Sequence, residues 1–199
     1  MKKFRINIVI ITILFFLNIN SKAIANTSSN FIDDITDRAS NILSSQDSRE
    51  VKIQELIKIG ENSVDIEGIG FYTLGKFRKS LSNQQKEQFK KIFREYFLKS
   101  FSTRLVEYKE AKIVVISEDI KNEKYTIVRS KLLATPKRPE VAIDWRVYTK
   151  DPSKPLIRDL IIEGLSLART QKEEFNSIIM NNDGDISALF TSLKEFNDR

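Results

Sequence analysis

The chain has 199 residues, enough for one ordinary domain, and its 41% hydrophobic and 30% charged residues are a globular balance rather than a disordered or multi-span membrane one. It contains no histidine and no cysteine, which excludes Ser-His-Asp and Cys-His catalysis, thiolate nucleophiles, disulfides, iron–sulfur clusters and the usual zinc sites. Of the 33 basic residues, four lie in the first 25 positions, which hold no acidic residue; the net charge of +6 therefore falls to +2 beyond them, and a nucleic-acid partner is not expected.

Residues 1–25 read as a cleaved secretory signal. Lys2, Lys3 and Arg5 form a charged start, and the run from Ile6 to Ile19 is apolar apart from Asn7, Thr12 and Asn18. Those 14 residues fall short of the ~20 that a permanent membrane-spanning helix needs. Ala23-Ile24-Ala25 is a small-x-small cleavage site, so a mature domain of residues 26–199 is expected, exported across the inner membrane. No cysteine follows the apolar run, so no lipid anchor is expected there.

Residues 27–108 carry helical signals. Ser28 or Ser29 is placed to cap a first helix with the apolar face Phe31, Ile35, Ala39, Ile42 and Leu43. Asp47 and Glu50 have the spacing of a capping box for a second helix that ends at Gly60. Ser82 with Gln85 opens a longer third one, whose face reads Phe89, Ile92, Phe93, Tyr96, Phe97, Phe101, Leu105 and Tyr108. Nine aromatic residues fall between Phe71 and Tyr108. Periodicity leaves open whether this stripe packs in an ordinary core or lines a cavity.

Between residues 111 and 163 β-branched residues gather in four runs, Ile113–Ser117, Tyr125–Leu133, Val141–Tyr148 and Leu156–Ile162, joined by short turns. Short connections favour antiparallel neighbours, which predicts a four-stranded meander. In the third run Val141, Ile143, Trp145 and Val147 share one face, and Asp144, Arg146 and Tyr148 the other. Residues 165–196 return to helix, interrupted at Gly184 and reopened by a cap at Asp185. The whole is an α+β domain with N- and C-terminal helices packed on one sheet face.

Catalytic motifs are wanting. Gly68-Ile69-Gly70 lacks the third glycine and the strand-to-helix setting of a phosphate loop. Ser166 has Ala168 where a nucleophile elbow needs glycine, and capping the next helix is its expected role. Asn181-Asn182-Asp183-Gly184-Asp185 lacks the ligand spacing of a calcium loop. No metal, cofactor or catalytic residue is expected.

Two stretches carry a resemblance. The first is Val64-Asp65-Ile66-Glu67-Gly68-Ile69, then Tyr72-Thr73-Leu74-Gly75-Lys76-Phe77-Arg78 and the capped aromatic helix. The second is Asp159-Leu160-Ile161-Ile162-Glu163-Gly164-Leu165-Ser166-Leu167, with Arg169 and Phe175 beyond. Together they resemble the MlaC, or toluene-tolerance auxiliary, family of periplasmic phospholipid-binding proteins. Arg78 stands where the family often has Trp, and Thr170-Gln171-Lys172 where it is richer in Arg.

The resemblance implies an NTF2-like fold around an apolar pocket for acyl chains. It also implies a monomeric periplasmic carrier that binds phospholipid and maintains outer-membrane lipid asymmetry. Its partners would be an outer-membrane lipoprotein–porin complex and an inner-membrane ABC permease with an MCE-domain ring. With face parity, it nominates Phe71, Leu74, Phe97, Phe101, Trp145, Val147, Leu160, Ile162 and Leu165 as pocket lining. Lys76, Arg78, Lys79 and Arg104 are nominated for the lipid phosphate or an acidic partner. The competing expectations are a periplasmic chaperone, or an enzyme of the same fold acting on a small hydrophobic substrate. That enzyme would need a tyrosine and a carboxylate converging in the pocket, and Asp144 and Tyr148 are set by alternation opposite the Trp145 face.

Overall fold

In the computed structural model, which describes residues 27–108 and 111–199, the first helix, α1, spans Ser28–Ser44. The expected signal peptide lies outside the described residues. The cap of α1 is Thr27, one residue before the two serines: its hydroxyl accepts the Asn30 N–H at 3.2 Å. Ser48, between Asp47 and Glu50, caps α2 (Arg49–Ser63) by accepting the Val51 N–H at 3.3 Å. The helix does not stop at Gly60. A Cβ there would lie 3.1 Å from the Leu98 side chain and 3.4 Å from that of Phe101, so this glycine is a point of close helix approach rather than a terminus.

A short helix that the sequence pattern did not mark follows, α3 (Ile66–Thr73), then a 3₁₀ turn over Gly75–Lys79. Asp65 caps α3. At Gly70 α3 lies against the third predicted helix, since a Cβ would come within 2.7 Å of the Phe93 ring. That helix, α4 (Asn83–Leu105), opens with the expected capping box of Ser82 and Gln85. Its 23 residues make a rod of ~35 Å.

The aromatic stripe of α4 is a packing seam. Phe89 and Phe93 are buried with ring centres 5.4 Å apart. Phe93 meets Phe175 edge-on at 6.1 Å, and Phe89 stacks on Phe190 at 5.7 Å. Phe175 belongs to α5 (Leu167–Met180) and Phe190 to α6 (Ile186–Asp198). Gly184, at φ +81°, turns the chain between them, and Asp185 caps α6 through the Ser187 N–H.

The sheet is an antiparallel meander in chain order: β1 (Ile113–Asn122), β2 (Tyr125–Leu132), β3 (Val141–Tyr148), β4 (Leu156–Ile162) and β5 (Leu165–Ser166). It has five strands, not the expected four. Glu163 and Gly164 both take positive φ, the signature of a two-residue hairpin turn, and fold Leu165 and Ser166 back onto Ile162 and Ile161. A two-residue strand leaves no alternating pattern to read.

The β2–β3 register, Val128 opposite Trp145 and Thr126 opposite Val147, puts these residues on one face. Val128, Trp145 and Val147 there are all buried in the main core, with α1, α2 and α4 residues. Trp145 brings a polar group inside. Its indole N–H donates to Ser130 Oγ at 2.8 Å, and the Ser130 hydroxyl donates to the Ile143 carbonyl at 3.0 Å. Ser130→Ala leaves the indole N–H without that acceptor, and a loss of ~1–3 kcal/mol is expected, read as a lower urea midpoint at unchanged slope.

Candidate functional site

Asp159 is paired with Arg146 in the β3–β4 register, on the face opposite Trp145, and is only 3% exposed. A buried carboxylate needs partners, and it has three. The Ser166 hydroxyl donates to Oδ2 at 2.6 Å, the Ala168 N–H donates to Oδ1 at 3.0 Å, and Arg146 Nη1 lies 3.8 Å from Oδ2. Ser166 in turn caps α5, as expected, by accepting the Arg169 N–H at 3.1 Å. One carboxylate thus ties β5 and the first turn of α5 to the middle of β4. That is the physical reason for the spacing Asp159, Glu163-Gly164, Ser166-Leu167: the hairpin turn brings the serine back beside the aspartate.

One residue earlier, Arg158 occupies a bulge, since Arg146 pairs with Asp159 while Val147 pairs with Ile157. Its Nε–H donates to Asp65 Oδ2 and its Nη1–H donates to the Tyr125 hydroxyl at 2.6 Å. The guanidinium also lies 3.7 Å from the centre of the Tyr148 ring. Partial burial works against its charge, but the bonds to Tyr125 and Asp65 outweigh burial and hold the proton more firmly than usual. Asp65 accepts the Gly68 N–H at 2.9 Å. A Cβ on Gly68 would sit 2.3 Å from that carboxylate, so glycine is required for this junction of α3 with the sheet.

From these anchors Gly68, Tyr125, Arg146, Arg158 and Ala168 border a cleft of about 590 Å³, within the ~300–1,000 Å³ of ligand sites. Ile69, Ile127 and Ala168 supply its apolar surface. Around them stand Gly68, Tyr72, Arg78, Lys121, Asn122, Tyr125, Arg146 and Arg158. Ile127 and Arg146 are register partners on the face opposite Trp145, so α3 and the start of α5 roof the face that alternation marked as wet. Lys121 is paired with Asp119, whose Oδ2 also takes Arg129 Nη2 at 3.3 Å. The hydrogen bond from Lys121, reinforced by Arg129, holds the Asp119 carboxyl below its usual range. A second depression, about 510 Å³ along α5 and α6, is bordered by Asn182, Asp185, Ser187, Thr191, Ser192 and Glu195, with only Ile178 and Ala188 apolar. Hydrocarbon gains little in such surroundings.

None of the nine residues nominated as lining borders the 590 Å³ cleft. Leu74, Trp145 and Val147 are packed inside the core, and Phe71, Phe97 and Leu160 are half-buried against it. Phe101 is half-buried and stacks on Phe97 at 5.9 Å. Ile162 pairs with Ile143 and Leu165, and Leu165 itself is 57% exposed at the hairpin. Of the nominated cations Arg78 borders the cleft. Lys76 lies over the Phe77 ring at 5.2 Å, Lys79 is exposed at the end of the 3₁₀ turn, and Arg104 is exposed in the last turn of α4. Tyr72, Lys121, Tyr125, Ile127, Arg146 and Arg158 were not nominated. The legible signal was alternation: Tyr125 with Ile127, and Arg146 with Tyr148, are same-face pairs on neighbouring strands. Asp144 does not border the cleft, and Tyr148 is covered by Arg158.

Among the described residues no helix is long and apolar enough to cross a membrane, and no group of three or more acidic side chains could hold a metal ion. No curated protein matches the chain. The fold is similar to the solved structure of a phospholipid-binding protein from Ralstonia solanacearum in complex with a phospholipid. The two share 20% identity at a TM-score of 0.70, over 85% of this chain and 96% of that one. The family model described as MlaC protein matches residues 26–195. The chain belongs to the MlaC family.

Proposed function

We propose that this protein carries phospholipid across the periplasm, sheltering acyl chains against apolar surface and holding the polar head at the basic rim of the cleft. The observation that carries this reading is the juxtaposition of Ile69, Ile127 and Ala168 with Arg78, Lys121, Arg146 and Arg158 in one concavity. Membership of the MlaC family supports it, as does the phospholipid bound by the similar Ralstonia protein. A carrier is needed on energetic grounds. Each buried CH₂ is worth ~0.8 kcal/mol, so two sixteen-carbon chains hold roughly 25 kcal/mol of membrane attachment.

Ile69 borders the cleft and also belongs to the core. Chains passing it would enter that core, and the nominated apolar residues clustered there with Ile69 (Leu74, Trp145 and Val147 among them) are the walls they would meet. In this reading the fold works as an NTF2-like cone, a binding protein without a catalytic step. Residues 1–25 direct export, and the monomeric domain of residues 26–199 exchanges lipid with an outer-membrane lipoprotein–porin complex and an inner-membrane ABC permease bearing an MCE-domain ring. The absence of any carboxylate among the residues bordering the cleft favours binding over proton transfer.

Native mass spectrometry of protein purified without detergent tests this. One two-chain phospholipid per protein is expected. An empty protein that suppresses aggregation of an unfolded porin would replace the carrier with a chaperone.

A further inference from the structure

The carrier reading leaves open which lipids the cleft accepts, and the inference here rests on that reading. Four cations border the cleft, Arg78, Lys121, Arg146 and Arg158, and no carboxylate does. The neighbouring carboxylates are already engaged: Asp65 with Arg158, Asp159 with Arg146, and Asp119 with both Lys121 and Arg129. Counting Arg129 and Asp144, its register partner on the same face, five cations stand with four carboxylates, an excess of one positive charge.

The neutral groups point the same way. Tyr125 Oη accepts from Arg158, which turns its own O–H to donation. Asn122 Oδ1 accepts the Lys124 N–H at 2.9 Å, leaving its NH₂ as the free end. The Tyr72 ring already has Lys172 Nζ at 5.4 Å from its centre. A phosphodiester finds donors throughout this lining. A headgroup ammonium finds no carboxylate bordering the cleft, and cations already lie over the Tyr72 and Tyr125 rings.

We infer that the cleft selects phospholipids whose head carries net negative charge over zwitterionic ones, because its lining presents donors and cations without a counter-anion for an ammonium. Free phosphate esters share the phosphate chemistry but lack the tails.

Protein incubated with vesicles of equal phosphatidylglycerol and phosphatidylethanolamine, with identical acyl chains, is re-isolated and its lipid quantified. Enrichment of phosphatidylglycerol by about tenfold, which corresponds to ~1.4 kcal/mol, is expected, shrinking as salt screens the rim. The double variant Arg78→Gln, Lys121→Gln should load less phosphatidylglycerol, with the enrichment reduced severalfold. Equal loading of the two lipids by the unaltered protein, or an enrichment unchanged in the double variant, overturns the inference and leaves the carrier intact. No lipid of either kind overturns the carrier reading as well. Excess glycerol 3-phosphate should leave bound lipid in place; displacement would assign the rim to a soluble phosphate ester and overturn the inference.

Discussion

Val147→Asp is expected to abolish cooperative folding. Val147 is fully buried on β3, facing the core with Val128 and Trp145, and its neighbours on that face, Thr126, Val128 and Trp145, carry no positive charge to pair with an aspartate. An unpaired buried ion costs several kcal/mol after relaxation. A domain of this size has ~5–15 kcal/mol in total. The far-ultraviolet signal should lose its sigmoidal urea transition, with lipid retention lost alongside it. If the variant instead unfolds cooperatively near the parent midpoint and only lipid is lost, Val147 faces a cavity wall and the core assignment fails.

The second large effect is expected at Asp159. Its carboxylate is the common acceptor for the Ser166 hydroxyl and the Ala168 N–H, with Arg146 alongside. Asp159→Ala strands buried donors and removes the tie between β4 and the start of α5. Breaking a buried charged network of this kind costs ~3–5 kcal/mol. Ser166→Ala removes one hydrogen bond and the cap, for which ~1 kcal/mol is expected. Urea denaturation of the two variants should rank them in that order. Equal, small losses would mean that the carboxylate is not the anchor. Ala168 borders the cleft, so Asp159→Ala should also speed lipid release under conditions where the variant remains folded.

Local rules made much of this fold legible. Ser82 and Gln85 have the side-chain chemistry of a capping box, and α4 begins there. Asp185 and Gly184 have the chemistry of a cap and of a left-handed turn, and α6 follows them. Strand runs separated by short turns could pair only with their neighbours, which set the meander order of β1 to β4. Gly60 was misleading for a definite reason. Glycine serves equally to end a helix and to admit a neighbouring one, and only the position of Leu98 and Phe101 decides which. α3 left little trace because its eight residues include two glycines: Gly68 is required by the carboxylate of the Asp65 cap three residues before it, and Gly70 by the Phe93 ring on a different helix.

The candidate site divides in the same way. Alternation along β3 separated Trp145 and Val147 from Arg146 and Tyr148, and the register keeps that separation. What alternation lacks is the identity of the cover on each face. Residues as far apart in sequence as Ile69, Ile127 and Ala168 meet in one cleft because the Asp65–Arg158 and Asp159–Ser166 ties draw α3 and the start of α5 to the polar side of the sheet. By itself the sequence determined the α+β class, the caps and the likeness to MlaC proteins, all of which depend on residues near one another or on fixed spacings. Tertiary structure alone decided that the aromatic stripe is a seam and that the cleft is basic. Both outcomes depend on which distant surface covers a given side chain, and a one-dimensional pattern records periodicity without recording the partner.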